Sequence, residues 1–189
     1  MSLFSSLPAD AHLSDVFRRF PKGVRPLTEL HDALLRGDGA LTVAQRELIA
    51  AYVSGLNGCS FCYGAHTLMA RAFGIDPSVL EALMADPDTA QVEDKLKPLL
   101  AYLAHLTRTP SRIPGSAIEN ARAAGWSEEA LYEAVSICAL YNYMNRLVEA
   151  AGLIPGQEYA NPDEEALELR RNSTYVEWGE REGILPPRP

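Results

Sequence analysis

The sequence predicts an all-α protein on three observations. Apolar residues recur at helical spacing, three and four apart, and no stretch alternates as a half-buried strand does. Ser, Thr or Asp precedes several of these runs, where a side-chain oxygen can cap a helix start. Glycine and proline then close the runs. In chain order, 13–19 and 28–35 are short helices separated by Pro21 and Pro26, an N-terminal lead-in. Thr42 with Gln45 is a capping-box pattern, and helix formers fill 43–54 until Gly55 ends the helix. Gly55-Leu56-Asn57-Gly58 reads as a reversal, followed by a helix to about Phe73 that Gly74 stops. Asp76-Pro77, a cap followed by a proline at the first helical position, opens 77–85, and Asp86-Pro87 breaks it. Leu96, Leu99, Leu100, Leu103 and Leu106 give 92–107 one apolar face, with Pro98 bending it or lying in its first turn. Ser116 with Glu119 caps the next helix, closed by Gly125. Ser127 starts the longest helix, 128–151, closed by Gly152.

Beyond Pro155 the character changes. A short amphipathic piece, 164–171, is followed by Trp178 and a proline-rich end. The chain therefore divides into one helical domain over 1–154, with lead-in 1–40 and core 41–154, and an arm over 155–189. The arm keeps Leu167, Leu169, Tyr175, Val176 and Trp178 among charged residues, so it docks on the body or on a neighbouring subunit.

Composition narrows the function. With 189 residues the chain fits one domain with a real core. A net charge of -8, from 17 basic and 25 acidic residues, is unsuited to phosphate backbones and argues against nucleic acid. No apolar run approaches the roughly 20 residues of a membrane span, and the start lacks a basic segment followed by an apolar one, so a cytoplasmic protein is expected. Three cysteines are too few for a disulfide scaffold. Two of them form a C-x-x-C pair, which fits a transient, catalytic disulfide in a reducing compartment.

That pair is the centre of the candidate site. Cys59, Cys62 and His66 fall at i, i+3 and i+7 on one helical stripe, and Glu47 lies twelve residues before Cys59. Glu47 and His66 each stand eight residues from a glycine of the reversal. At about 1.5 Å per residue both lie about 12 Å along their helices, so antiparallel helices bring them face to face. Val43, Ala44, Ala50 and Ala51 flank Glu47, which points its carboxylate into a dry interior where it needs a partner. The expected order in space is Glu47, His66, Cys62, Cys59: an acid, a base and a thiol in relay. A thiol of ordinary pKa needs such a base to act as a nucleophile near neutral pH. Position at the helix start makes Cys59 the more acidic thiol. A structural zinc site would need a fourth ligand that no second C-x-x-C or H-x-x-H supplies.

These residues resemble the AhpD-like alkylhydroperoxidase group of the carboxymuconolactone decarboxylase superfamily, and most of all its peroxidase-related branch. The signature is an acid, then C-x-x-C, then His four residues after the second Cys: here Glu47, Cys59, Cys62 and His66. The match is strongest over 41–74 and looser to Gly152. The resemblance implies an AhpD-like helical bundle built around the antiparallel helix pair that carries the motif. It implies that Cys62 is the thiol attacked by peroxide and Cys59 the resolving one. It further implies a thiol-dependent peroxidase without metal, flavin or haem, working with a hydroperoxide and an external reductant, either a dithiol protein or a small dithiol. Homo-oligomers are the rule among such proteins. One departure is Phe61, where AhpD proteins often carry a second His.

Two other readings follow from the same residues: a redox sensor or disulfide-reductase adaptor, and, against the presence of the C-x-x-C pair, a lactone decarboxylase. Asn142, Asn145 and Glu149 form a polar stripe on the longest helix. It reads as an internal hydrogen-bond network or subunit contact, or as a wall of the thiol pocket. His12, His31 and His105 read as ordinary surface or half-buried histidines. Cys138, mid-helix among apolar residues, reads as an inert core thiol, and Phe61 and Tyr63 as core or as gates beside the cysteines.

Overall fold

A computed structural model describes residues 2–156, 159 and 162–186. Among them are ten helices and no strand: α1 (Leu13–Arg19), α2 (Val24–Leu35), α3 (Val43–Leu56), α4 (Ser60–Ala72), α5 (Pro77–Ala85), α6 (Leu96–Arg108), α7 (Gly115–Ala123), α8 (Glu128–Ala151), α9 (Glu164–Asn172) and α10 (Tyr175–Arg181). None is long and apolar enough to cross a membrane.

The bundle is arranged around α3. Leu48, Ile49, Ala50, Ala51, Tyr52 and Val53 are successive and all buried, the pattern of a helix covered on every side. Its cover comes from α4, α8, α5 and α6. The capping box at Thr42 starts it, with Gln45 N–H donating to Thr42 Oγ1 and Gln45 Oε1 accepting from Thr42 N–H. At the same end Glu133 of α8 accepts from the Ala40 and Leu41 N–H groups and pairs with Arg46, so the entry into α3 is tied to the longest helix.

Several boundaries differ from expectation for identifiable reasons. Gly55 does not end α3. The helix continues to Leu56, and a Cβ at Gly55 would meet Met84 of α5, so this glycine serves close packing. The reversal is made by Gly58 at φ +70°. Pro26 lies inside the first turn of α2, where its missing N–H costs no bond, so α2 starts at Val24 rather than at residue 28. Pro98 likewise occupies the first turn of α6, which begins at Leu96 rather than at residue 92. α7 begins after extended Pro114, which leaves Ser116 inside the helix instead of capping it. α10 has no counterpart in the sequence reading, although Thr174 with Glu177 forms a capping box.

The arm lies on the body of its own chain, α9 against α4 and α10 against α2. Asp32 of α2 accepts from the Tyr175 and Val176 N–H groups at 2.5 and 3.0 Å, satisfying donors that a helix start leaves free. Phe17 meets Trp178 edge-on at 6.3 Å. The arm expected over 155–189 also includes residues 157, 158, 160, 161 and 187–189, which lie outside the described residues.

Replacing Gly58 by Ala forces a Cβ into left-handed backbone. Urea denaturation should show a loss of about 1 kcal/mol. A Gly55→Ala substitution must displace the flexible end of Met84 but gains helix propensity, so the same measurement should show a smaller loss than at Gly58.

Candidate active site

The turn at Gly58 lays α4 back along α3 and brings Glu47 and His66 into contact. Glu47 Oε2 lies 2.6 Å from His66 Nδ1, with the carboxylate fully buried and the ring nearly so. A carboxylate only accepts, so Nδ1 carries the proton of this contact. The other oxygen, Oε1, is ion-paired with Arg36 Nη1 and accepts from Tyr175 OH at 3.4 Å. Burial alone would push the Glu47 carboxyl up, but His66 and Arg36 outweigh it and hold it below the ordinary range. Arg36 also lies over the rings of Phe73 and Tyr175, 5.1 and 5.2 Å from their centroids.

Cys59 is the residue before α4 and Cys62 is one turn in; both are buried and neither is in a disulfide. The Cys62 thiol and backbone N–H stabilise charge on Cys59 against burial, lowering its pKa. Cys62 shifts the other way, because Cys59 beside it and burial both disfavour a second charge. The hydrogen bond between the two sulfurs thus leaves Cys59, the residue at the helix start, the more acidic thiol, the direction the sequence reading gave. Access divides differently. Cys62 and His66, one turn apart, open on the same cavity of about 470 Å³, which Cys59 does not line. Among the described residues His66 makes no hydrogen bond to either sulfur. Its ring is tethered through Nδ1 and lies edge-on to Tyr141, with centroids 4.4 Å apart.

The cavity lies between α1, α2, α4, α8 and the arm. Apolar side chains, among them Phe17, Phe61, Met69, Met144 and Trp178, supply most of its wall, the usual character of a small-molecule site. Phe61 meets Tyr159 edge-on at 5.7 Å, packing where an imidazole would have offered a base. Behind the sulfurs, the α8 stripe forms the internal network that was one reading of it. Asn57 donates to Asn145 at 2.8 Å, Asn145 donates to Ser54 at 3.0 Å, and Arg146 donates to Asn142 at 3.0 Å. The stripe also borders the thiols, Asn145 lying against Cys62 and Glu149 against Cys59.

Sequence reasoning missed Arg36, Tyr141 and Tyr175 and misplaced His31. His31 is buried and lines the cavity, its Nδ1 2.8 Å from Leu27 O and its ring 5.0 Å from Tyr175 and 6.0 Å from Tyr141. Burial lowers its pKa to about 4. None of the four stands at helical spacing from the C-x-x-C pair. Only the rule that a buried acid needs a cation pointed toward Arg36. Cys138 is buried, 3.3 Å from Thr107 Oγ1, and accepts from Asn142 of the polar stripe at 3.5 Å. Among the described residues no group of three or more His, Cys, Asp or Glu side chains is placed to hold a metal ion.

An all-α bundle of this kind is the AhpD-like helical fold. The chain belongs to the Carboxymuconolactone decarboxylase family, whose profile matches residues 21–92. It is 33% identical over 108 residues to the uncharacterized protein YdfG of Bacillus subtilis (strain 168), covering 57% of this chain and 73% of that one. In fold it is similar to an uncharacterized peroxidase-related protein from Silicibacter sp. TM1040, with a TM-score of 0.71 and 24% identity over 78% of this chain and 77% of the other. A second such protein, from Ralstonia eutropha JMP134 and described as an alkylhydroperoxidase AhpD core, gives a TM-score of 0.69 and 25% identity over 75% and 74%.

Two tests address the buried charges. Arg36→Met leaves Glu47 short of a counter-charge and should cost ~3 kcal/mol at pH 7 by urea denaturation, with the loss shrinking as acid protonates Glu47. His31 binds its proton less tightly folded than unfolded, so stability should fall as pH drops from about 6.5 to about 4. The slope should flatten in a His31→Gln variant.

Proposed function

We propose that this protein is a thiol-dependent peroxidase that reduces a hydroperoxide with its Cys59–Cys62 dithiol. The observation that carries the reading is that Cys62 and the carboxylate-held His66 face one apolar cavity. His66 Nε2 takes the Cys62 proton as the sulfur attacks the distal peroxide oxygen. The O–O bond breaks, and Cys62 becomes a sulfenic acid while the alcohol leaves. Cys59, the more acidic thiol, then attacks the Cys62 sulfur, closing a disulfide and releasing water. Two electrons and two protons pass from the dithiol to the peroxide, and an external dithiol returns them. Access, not acidity, makes Cys62 the first nucleophile, since a peroxide must reach the sulfur it oxidises. Both sulfurs are buried, which favours a small dithiol entering the cavity over a protein reductant docking on the surface. No metal, flavin or haem takes part in this cycle; a cytoplasmic setting and a homo-oligomeric state belong to the same proposal.

The test is hydroperoxide consumption with dihydrolipoamide or dithiothreitol, paired with mass spectrometry after one equivalent of peroxide. The wild type should turn over and form the Cys59–Cys62 disulfide, Cys59→Ser should stop at a Cys62 sulfenic acid, and Cys62→Ser should be inert. Wild-type activity no higher than that of Cys62→Ser across several peroxides and reductants would sink the proposal. Single-cycle oxidation without turnover would instead mark a redox sensor.

A further inference from the structure

The cavity that opens on Cys62 sorts charge in a way the peroxide chemistry does not require. Two arginines of the arm line it, half-buried Arg170 near the end of α9 and exposed Arg181 at the end of α10. Helices α9 and α10 hold more acids than bases, yet none of their acids lines the cavity. Their remaining base, Arg171, is paired with Glu164 and points elsewhere. Among the described residues the wall carries one acid, Glu182, which lies 3.7 Å from Arg18. The third arginine of the wall, Arg36, is committed to Glu47. Arg170 gives Nη1 to Ala166 O of its own helix at 3.2 Å, and among the described residues neither Arg170 nor Arg181 is ion-paired with a carboxylate. In a chain of net charge -8, two cations without counter-ions at one apolar cavity run against the composition.

Each arm helix also gives the wall an apolar neighbour for its cation: Leu169 beside Arg170, and Trp178 three residues before Arg181 on one helical face. Phe17, Phe61 and Met144 continue the apolar wall on the body side. A guanidinium presents a fork of N–H donors that matches a carboxylate, and an apolar wall takes up an alkyl chain. A ligand satisfying both has one anionic end and one apolar body. Resting on the thiol-peroxidase reading above, we propose that the substrate is an amphipathic hydroperoxide of the fatty-acid class, its carboxylate held by Arg170 and Arg181 and its chain lying along the apolar wall beside Cys62. At about 470 Å³ the cavity is of the size usual for a small-molecule site, and it is one space shared by the arginines and the sulfur. The carboxylate takes no part in bond making or breaking. It selects and orients the molecule whose O–O bond Cys62 reduces, and it makes the arm the part of the chain that reads the substrate.

Two measurements separate this proposal from the one it rests on. In the first, the Cys62→Ser protein is titrated by calorimetry with decanoate and with methyl decanoate, which share a chain and differ in charge. Decanoate should bind about 10-fold more tightly, the advantage should shrink as salt rises, and an Arg170→Gln/Arg181→Gln variant should bring the two within about 2-fold of each other. The Arg170→Lys/Arg181→Lys variant should restore part of the difference. In the second, the reduced wild type reacts in single turnover with linoleic acid hydroperoxide and with its methyl ester, and mass spectrometry follows oxidation of Cys62. The acid should react about 10-fold faster below saturation and at a similar rate at saturation, the signature of a group that binds without taking part in the chemistry. Because each ratio compares two ligands on one protein, a general loss of folding does not imitate the result. Equal binding of acid and ester, or a preference that survives the double glutamine substitution, overturns the carboxylate site. Equal reaction of the two hydroperoxides overturns the substrate class while leaving the peroxidase reading intact. A wild type that oxidises with neither, yet binds decanoate through the arginines, overturns the peroxidase reading and with it the substrate assignment, leaving a carboxylate-binding cavity.

Discussion

The buried carboxylate of Glu47 is the constraint on which the rest of the site depends. A lone charge in an apolar interior is not tolerated, so each oxygen must be matched: Oε2 by His66, Oε1 by Arg36 and Tyr175. These partners come from α4, from the end of α2 and from α10, so one side chain on α3 fixes three other elements relative to the central helix. Arg36 has a particular consequence. By neutralising the carboxylate it lets Glu47 orient the imidazole through Nδ1 without an uncompensated negative charge beside the thiols.

The same requirement explains why the arm belongs to the site. Tyr175 reaches Glu47 only because Asp32 holds the start of α10 on α2, and Arg36 lies four residues beyond Asp32 at the end of that helix. The anchor of the arm and the counter-ion of the acid are thus successive turns of one helix. Leu169 and Trp178 then complete the cavity wall from the arm side. A chain lacking α9 and α10 would keep the Glu47–His66 contact but open the cavity to water, weakening every electrostatic interaction within it.

How much of this was legible in the sequence follows the range of the interactions. The Glu47–His66 contact was legible because helical spacing and one turn relate the two residues, and those are local rules. The starts at Thr42, Asp76 and Ser127 were readable because each cap acts over two or three residues. Gly55 was misread because its role is to admit Met84 from another helix, and glycine as a stop signal looks the same in sequence as glycine as a close contact. Tyr175, 128 residues from Glu47, and His31, grouped with the surface or half-buried histidines, were invisible for the same reason: burial against distant elements leaves no periodic trace.

The two thiols show why a motif alone does not assign roles. The Cys62 thiol and backbone N–H make Cys59 the better anion, at the expense of the ionisation of Cys62 itself. The cavity opens at Cys62 instead. In the proposed cycle a peroxide therefore meets Cys62 first, and Cys59 attacks once its neighbour is oxidised and leaves when a reductant reopens the disulfide at Cys62. The polar stripe of α8 serves that arrangement from behind, giving the buried turn between α3 and α4 its hydrogen bonds through Asn57, Ser54 and Asn145 and leaving the cavity side apolar. The two sulfurs thus differ in surroundings, the more acidic Cys59 facing a polar helix and the less acidic Cys62 facing the cavity that His66 also lines.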